Sequence, residues 1–386
     1  MTTPTHQTIE PLTVPPGLKG VVVADTATGD VRGREGFYHF REYSAVELAR
    51  SRSFEDVCHL MLEGSLPAPQ QSAALQGRLA EAAVLPDRLL AVLPDIAVSG
   101  PDRASLARLR TAVSHLGALE GFVPTYGASP EQVYADVLRV VGAVPVIQAA
   151  LHRLRAGQDP LRARPELGAA GNWLWMVTGR EPAPEHRDAL TAYLTSTIDH
   201  GFSASTFAAR VVTSAGSDVA AAVAAAIGTF AGPLHGGAPD RALDSLDEIG
   251  NAERARDWVR EKVAGGERIM GFGHAVYRTM DPRAAMLRDI ALQLGGPLVD
   301  LAVRVEQEVI EALAELKPGR ELHTNVEYYA GVVMELCAIP REMFTPTFAS
   351  ARVVGWGAHI LEQAEGSKIF RPSARYVGPP APAPLP

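Results

Sequence analysis

Apolar residues recur at helical spacing over most of the chain after about residue 44, with glycine or proline in most of the gaps. The pattern predicts helices over residues 44–50, 53–62, 70–83, 102–117, 131–155, 185–196, 204–214, 217–230, 253–264, 282–293, 298–315, 326–337 and 346–363. The segments typical of strands are VVVAD at 21–25 and FYHF at 37–40. Strands and helices do not alternate, so a helical protein is favoured over one built on a parallel nucleotide-binding sheet.

Three of these helices begin with capping chemistry. Ser44 stands three residues before Glu47, Ser53 opens the next apolar segment, and Ser129 is followed by Pro130 at the first helical position. A serine hydroxyl at the N-cap accepts a hydrogen bond from a backbone N–H that has no partner inside the helix. These serines are therefore predicted as helix starts.

The segment 217–230 is apolar on every face. Val219, Val223, Ile227 and Phe230 follow one another at spacings of four and three, and alanines fill most of the other positions. It is too short and too rich in alanine to span a bilayer. The pattern predicts a helix buried all round, close to several neighbours or to a subunit partner.

Length and charge narrow the class of protein. A chain of 386 residues favours two domains. With 36 basic and 44 acidic residues and no basic stripe, nucleic acid is not expected as a partner. Cys58 and Cys337 are far apart, which fits a reducing compartment and no disulfide framework. The N-terminal segment lacks the apolar core of a secretory signal, so we expect a cytoplasmic protein without a membrane anchor.

Two glycine-containing segments carry histidines. In GPLHGG, residues 232–237, His235 either points into a cleft or is an exposed residue at a helix end. The segment IMGFGHAVYRTMDPR lacks the third glycine and the preceding strand of a dinucleotide fingerprint. It instead predicts a glycine loop with exposed N–H groups, His274, and two arginines, Arg278 and Arg283, which lie on roughly one side if a helical turn forms. Arginine binds carboxylates and phosphates in a bidentate manner, although a surface loop with ion pairs is the alternative.

Further candidates lie elsewhere in the chain. His200 precedes a helix rich in small residues, Arg352 lies in the apolar C-terminal helix, Arg371 follows in a late loop, and Glu327 stands in NVEYYAG. Together with the two histidines of the glycine segments, they indicate general acid–base chemistry on an anionic small molecule. A core histidine is the alternative for position 200. A metal site is disfavoured because no HxxxH or HxH pair occurs.

Long motifs of the chain resemble citrate synthases of the bacterial, short-chain type. They are SFEDVCHLMLEGSLP, GPLHGGAPD, IMGFGHAVYRTMDPRA, NVEYYAGVVMELCAIPREMFTPTFASARVVGWGAHILEQ and IFRPSARYVGP, and the similarity covers about residues 17 to 378. The resemblance implies an all-α homodimer. Each subunit would have a large domain, residues 1–235 with 339–386, and a small domain, residues 236–338, that closes over the substrates.

The resemblance also implies the reaction. Enzymes of this family condense acetyl-CoA with oxaloacetate and hydrolyse the citryl thioester, with a coenzyme A thioester as co-substrate, no permanently bound cofactor and no metal. His235 would polarise the acetyl thioester oxygen, His274 the ketone of oxaloacetate, and Glu327 would remove the methyl proton. The implied oxaloacetate-binding residues are His200, Ser203, Arg283, Arg352 and Arg371, the last from the neighbouring subunit. The implied coenzyme A-binding residues are Arg268, Gly271, Phe272, Gly273 and Arg278.

The chain departs from the family pattern at three positions. Glu327 replaces the aspartate of NVD, and HGFS replaces HELN, so that Gly201 and Ser203 replace an acidic residue and an amide. Glutamate is longer by one methylene, about 1.5 Å, and a displacement on the order of 1 Å can lower a rate about 100-fold. Three interpretations stay open: a citrate synthase, a 2-methylcitrate synthase or other enzyme condensing an acyl-CoA with a 2-oxo acid, and a weakly active or non-catalytic paralogue that binds coenzyme A or dicarboxylates.

Overall fold

The computed structural model describes residues 12–101, 104–236, 239–274, 276–366 and 368–382, apart from the side chains of 239–241. Helices make up most of this part of the chain, which confirms the all-α prediction. The α-helices are α1 Ala45–Ser51, α2 Phe54–Glu63, α3 Pro69–Ala82, α4 Asp87–Leu90, α5 Leu93–Val98, α6 Ser105–Glu120, α7 Pro130–Arg155, α8 Gly168–Thr178, α9 Pro184–Thr197, α10 Ala204–Ser214, α11 Val219–Phe230, α12 Pro239–Ile249, α13 Ala255–Ala264, α14 Pro282–Leu294, α15 Pro297–Leu316, α16 Val326–Leu336 and α17 Phe344–Glu365.

Four of these helices were not predicted from the sequence. Helices α4 and α5 are too short to show a periodic pattern, and α8 is apolar on most faces and contains two glycines. Helix α12 did carry the signal, because Leu243, Leu246 and Ile249 follow one another at helical spacing and are all buried. The predicted N-caps are confirmed: Ser44, Ser53 and Ser129 each accept a backbone N–H three residues further on, at 3.3, 3.1 and 3.2 Å.

A small antiparallel sheet precedes the helices. It consists of β1 Gly29–Arg32, β2 Phe37–Phe40 and β3 Tyr43–Ser44, in that order. The strand predicted at 37–40 is confirmed, but the one at 21–25 was wrong, since this segment has no strand partner in the described chain. β-Branched residues, such as the valines of this segment, favour a strand only where the edge of another strand is available for pairing.

The turn of this hairpin rests on the segment after His274. The N–H of Arg278 donates to the carbonyl of Gly33 at 2.9 Å. A β-carbon at Gly33 would lie 2.3 Å from the carbonyl oxygen of Val276, so only glycine permits this approach. The hairpin therefore helps to hold a loop that carries site residues.

Helix α17 is the centre of the core. It packs against α2, α7, α9, α10 and α11, and nearly every residue from Phe344 to Ile360 is buried. Glycines allow this close packing: a β-carbon at Gly355 would lie 2.2 Å from the carbonyl oxygen of Ile198, and one at Gly357 would lie 2.6 Å from Val137. One face of α17 is thereby pressed against the segment that leads into His200.

Helix α7 is, within the described chain, the one helix long and apolar enough to cross a membrane. However, 67% of its most apolar window is buried inside the protein, against α3, α5, α6, α8 and α17. It is therefore interpreted as a core helix.

Helix α11 differs from its prediction. Val219, Val223, Ile227 and Phe230 are buried, but the opposite face is only half-buried in the single chain. The half-buried residues of that face are Ala221, Ala224, Ala225, Gly228 and Thr229. The prediction of burial all round is wrong for the isolated subunit.

The segment predicted as the small domain meets the rest of the chain at a few helices. Helices α14 and α16 contact α9, and α12 contacts α17. The division at residues 236 and 338 stays a prediction. The junction of α9, α14, α16 and α17 is where most of the predicted site residues lie.

Candidate active site

One buried carboxylate connects two parts of the site. Asp281 caps α14, and its Oδ1 accepts hydrogen bonds from the backbone N–H and the Nε of Arg283, both at 3.0 Å. Its Oδ2 accepts from Arg283 Nη2 at 2.8 Å and from the backbone N–H of Val326 at 3.1 Å. Both side chains of the ion pair are at most 3% exposed. Asp281 therefore fixes the Arg283 guanidinium and the first turn of α16, which carries Glu327.

The hydrogen bonds of His274 determine which ring nitrogen carries its proton. Nδ1 accepts the backbone N–H groups of Val276 and Tyr277, at 3.0 and 3.2 Å. The neutral ring is therefore protonated at Nε2. Burial, and then Arg283, lowers the pKa of His274 to about 4, against the opposing effect of Asp281. Nε2 lies 3.4 Å from Arg283 Nη2, and because a guanidinium can only donate, an Nε2–H this close to it needs an acceptor such as a ligand oxygen nearby.

In His235 the ring proton is on Nδ1, whereas in His274 it is on Nε2. Its Nε2 accepts from the backbone N–H of Ser205 at 3.2 Å and contacts Ser205 Oγ at 2.8 Å. Trp356 Nε1 donates to the same hydroxyl at 3.1 Å, which leaves the hydroxyl proton for His235. Nδ1 therefore carries the ring proton. Burial, and then Arg352, lowers the pKa of His235 to about 4. A half-buried ring held in this way does not fit the alternative of an exposed helix end.

His200 belongs to the same cluster. Its Nε2 lies 3.0 Å from the hydroxyl of Tyr277, and its ring centre is 5.5 Å from that of His274. Burial, and then Arg283, lowers its pKa well below the ordinary value. The alternative of a core histidine bonded to a backbone carbonyl is wrong, because Nε2 contacts a tyrosine hydroxyl among the site residues.

Arg352 is a buried cation without an ion pair in the described chain. Its side chain is 2% exposed, Nε donates to the carbonyl of Thr197 at 3.0 Å, and its guanidinium lies 4.8 Å from the ring centre of Phe348. Burial lowers its pKa to about 10, and Asp199 opposes that shift. A buried charge of this kind needs a counter-charge, which an anionic ligand would supply.

Glu327 lies in the first turn of α16 and is half-buried. Its N–H donates to the side-chain oxygen of the N-cap Asn325 at 3.0 Å, and the Asn325 amide donates to the carbonyl of Gly273 at 3.0 Å. Burial raises the pKa of Tyr193, which lies within electrostatic range of Glu327, Arg352 and Arg283. The structure thus brings the predicted base and two of the predicted anion-binding arginines around one tyrosine.

The backbone conformation and hydrogen bonds of the HGFS turn account for Gly201 and Ser203. Gly201 has φ of +61°, and a β-carbon there would lie 3.1 Å from a methyl group of Val31. Ser203 is the N-cap of α10, and its Oγ accepts the N–H of Thr206 at 3.3 Å and lies 3.2 Å from Ser205 Oγ. Ser203 is therefore part of the hydrogen-bonded group that holds His235, and its contact with a substrate stays a prediction.

The glycine loop is less open than predicted. Gly271 and Gly273 both have positive φ, but the N–H of Gly273 donates to the carbonyl of His323 at 2.8 Å. Phe272 forms an isolated antiparallel bridge with Thr324. Exposed N–H groups were expected here, but the N–H of Gly273 is used by His323 and that of Phe272 donates to the carbonyl of Ile269 at 3.4 Å. The loop's contact with coenzyme A stays a prediction.

Three predicted arginines lie outside the buried cluster. Arg268, Arg278 and Arg371 are exposed in the single chain. Arg278 precedes α14, which begins at Pro282, so the expectation that it shares one helical side with Arg283 is wrong. Its role and that of Arg268 toward coenzyme A, and that of Arg371 toward a partner subunit, stay predictions.

The site also contains residues that were not predicted from the sequence. They are Asp281, Ser205, Trp356 and Tyr277, and each holds a predicted residue in place. The DPR triplet carried a signal for Asp281, since aspartate before proline is a common N-cap. Within the described residues no group of three or more His, Cys, Asp or Glu side chains could hold a metal ion.

Comparison with known proteins identifies the family. The family model "Citrate synthase, C-terminal domain" matches residues 17–373. Citrate synthase of Mycolicibacterium smegmatis is 38% identical over 375 residues, 94% of this chain and 95% of that protein. That of Synechocystis sp. is 36% identical over 368 residues, 94% of this chain and 90% of that protein.

Solved structures agree with these matches. Citrate synthase from Pyrobaculum aerophilum has a TM-score of 0.85 at 34% identity, covering 100% of this chain and 99% of that one. The Thermoplasma acidophilum enzyme, solved with carboxymethyl coenzyme A and oxaloacetate, has a TM-score of 0.85 at 27% identity, covering 95% and 97%. The chain belongs to the citrate synthase family and is an enzyme of the citrate synthase type.

The low pKa values of the two histidines make stability depend on pH. The unfolded chain takes up these protons below about pH 6.5, whereas the folded protein does so only near the pKa values of about 4. Between these limits the unfolded state binds more protons. The free energy of unfolding contributed by His235 and His274 therefore falls as the pH is lowered toward 4.

We expect His235→Gln with His274→Gln to reduce this dependence. The midpoint of thermal unfolding, followed by circular dichroism from pH 7.5 to 4.5 at fixed protein concentration, should fall less steeply for the double variant than for the unmodified protein. Equal slopes would show that the histidines are not held neutral by the fold.

Proposed function

We propose that this enzyme condenses acetyl-CoA with oxaloacetate to give citrate and free coenzyme A. The observation that carries the proposal is the pair of neutral histidines, His274 held at one ring nitrogen by two backbone N–H groups and His235 by the backbone N–H and hydroxyl of Ser205. His235 then offers Nδ1–H and His274 offers Nε2–H. Because both pKa values are about 4, the rings are neutral donors at pH 7. Neutral donors can stabilise a developing oxyanion without first losing a proton.

The first step removes a proton from the acetyl methyl group. A thioester methyl is a very weak acid, so a base needs a donor that stabilises the enolate at the same time. Glu327 takes the proton, and His235 Nδ1–H donates to the thioester oxygen. The first turn of α16 is fixed by Asn325 and Asp281, which limits the movement of the carboxylate.

The second step forms the carbon–carbon bond. The enolate carbon attacks the ketone carbon of oxaloacetate, and the ketone oxygen, which becomes an alkoxide, accepts from His274 Nε2–H. Arg283 Nη2, a second donor, lies 3.4 Å from that nitrogen. Water then hydrolyses the citryl thioester, and the coenzyme A thiol leaves.

The substrate carboxylates are bound by Arg283 and Arg352, with His200 nearby. Arg283 already shares its charge with Asp281, whereas Arg352 has no ion pair in the described chain. A dicarboxylate would therefore gain most from Arg352. Arg268 and Arg278 attract the phosphates of coenzyme A; both are exposed and lie near either end of the glycine loop, which supports this role.

The active form is a homodimer in the cytoplasm, with residues 236–338 as the small domain that closes over the substrates. The half-buried face of α11, formed by Ala221, Ala224, Ala225 and Gly228, lets a partner's backbone approach closely. Arg371 is exposed in its own chain, as a residue directed toward the partner's site would be. No metal or permanently bound cofactor takes part in the proposed reaction.

We expect Glu327→Gln to lower kcat at least about 100-fold, because the general base is lost. Release of free thiol from acetyl-CoA, measured with and without oxaloacetate, checks this, and release should require both substrates. Glu335→Gln, at the C-terminal end of the same helix, removes an identical charge and serves as the matched control. Its kcat should stay near that of the unmodified protein.

Full activity of Glu327→Gln would remove this residue from the mechanism. If the unmodified protein released no thiol at high enzyme concentration but still bound either ligand, the chain would be a non-catalytic member of the family. Replacing acetyl-CoA by propionyl-CoA in the same assay determines whether the longer carboxylate at 327 accompanies a preference for a larger acyl group.

A mixing experiment tests the contribution of Arg371 across the dimer. Glu327→Gln and Arg371→Ala should each be nearly inactive alone. After unfolding and refolding together, the mixed dimer has one site with an intact Glu327 and an intact Arg371 from the other chain. Activity should return to about a quarter of the unmodified level, since half of the dimers are mixed and one of their two sites is complete. No recovery would place Arg371 in its own subunit's site.

A further inference from the structure

A buried polar group behind the HGFS turn has no part in the mechanism described above. Asp199 directly precedes His200 and is 1% exposed. Its Oδ2 accepts the N–H of Gly201 at 3.1 Å, which closes a turn around His200. Its Oδ1 is buried, has no hydrogen bond in the described chain and lies 3.4 Å from Nε2 of His359 on α17.

The proton of His359 faces this carboxylate. Arg210 Nη1 lies 3.1 Å from His359 Nδ1, and a guanidinium can only donate, so Nδ1 is the acceptor. The neutral ring therefore carries its proton on Nε2, which lies 3.1 Å from its hydrogen-bond partner Thr28 Oγ1 and 3.4 Å from Asp199 Oδ1. His359 is fully buried, so water does not compete for these contacts.

Arg210 is itself held from two sides. Its Nε donates to Gln363 at 2.9 Å, and Nη1 pairs with Glu362 of the same helix. The guanidinium lies 5.3 Å from the ring centre of Phe202, which also meets His359 edge-to-face at 6.1 Å. Arg210 thus packs against Phe202, the residue after Gly201, and also determines which ring nitrogen of His359 carries the proton.

We propose that Asp199, held by His359 and Arg210, is a positioning residue for oxaloacetate. The three side chains form a buried unit that fixes the turn at residues 199–203 and so the orientation of His200. The carboxylate also faces the cationic side of the site, since Asp199 is the main group that opposes the fall in the pKa of Arg352. The unit touches neither substrate and acts only through His200 and Arg352.

The unit also explains the departure of HGFS from the family pattern. An acidic side chain at 201 is replaced by glycine because the turn needs φ of +61° beside Val31. Phe202 then supplies a ring that packs against both Arg210 and His359. The turn is held by the buried residues behind it.

The test compares His359→Leu, which has no donor, with His359→Gln, which can still donate an amide N–H toward Asp199. Loss of the polar ring nitrogen beside a buried charge should weaken oxaloacetate binding about tenfold or more. We expect that loss for His359→Leu in isothermal titration calorimetry with oxaloacetate alone, an unchanged KM for acetyl-CoA, and recovery to within about threefold for His359→Gln.

His59→Leu is the matched control. His59 is also buried on a helix and lies 3.1 Å from a carboxylate oxygen of Glu63, outside the site residues. It should lower the thermal midpoint without changing the Kd for oxaloacetate. If His359→Leu does not fold, Asp199→Asn replaces it, because the amide retains an acceptor for Gly201 but loses the charge. The Kd for oxaloacetate should rise in that variant as well.

The proposal rests on the proposed function, and the two fail differently. An unmodified protein that neither binds oxaloacetate nor releases thiol would refute the function itself. An active unmodified protein whose His359 and Asp199 variants retain its Kd for oxaloacetate would refute only the positioning role. An equal rise in the KM values for both substrates would also refute the positioning role alone.

Discussion

The site depends on the buried ion pair between Asp281 and Arg283. Asp281 uses both carboxylate oxygens, so the cation proposed to bind the keto acid and the first turn of the helix that carries the proposed base share one anchor. Removing one partner of a buried pair leaves an uncompensated charge, which is strongly unfavourable. A substrate carboxylate that binds Arg283 would thus affect the hydrogen bond of the Val326 N–H through one side chain, that of Asp281. This connection couples the keto-acid site to the position of Glu327.

The histidines show how the fold selects one function from residues that could have several. Each ring is held at one nitrogen by backbone N–H groups, and burial keeps it neutral. The same residue types in an open loop would titrate near neutral pH and could bind metals. Here they are donors of fixed orientation. The supporting groups, Ser205 and Trp356 for His235 and the 276–277 backbone for His274, lie on different elements of the chain.

Much of the fold could be predicted from the sequence, because helical periodicity and serine caps are local signals. Elements without a periodic signal, such as α4 and α5, could not be predicted in this way. The histidines, Glu327, Arg283 and Arg352 could be predicted as candidates from motifs. Their tautomers and the role of Asp281 could not, because they depend on contacts between residues far apart in sequence. That Arg352 is buried without an ion pair to a described residue likewise became visible only in the packed structure.

Amide hydrogen exchange at Val326 and Glu327, compared between the unmodified protein and Asp281→Asn, tests the coupling most directly. We expect these amides to be protected in the unmodified protein, and oxaloacetate to slow their exchange further. In Asp281→Asn they should exchange faster and no longer respond to oxaloacetate. Equal exchange rates in the two proteins, or an equal response to oxaloacetate, would contradict the claim that Asp281 connects the keto-acid site to the base.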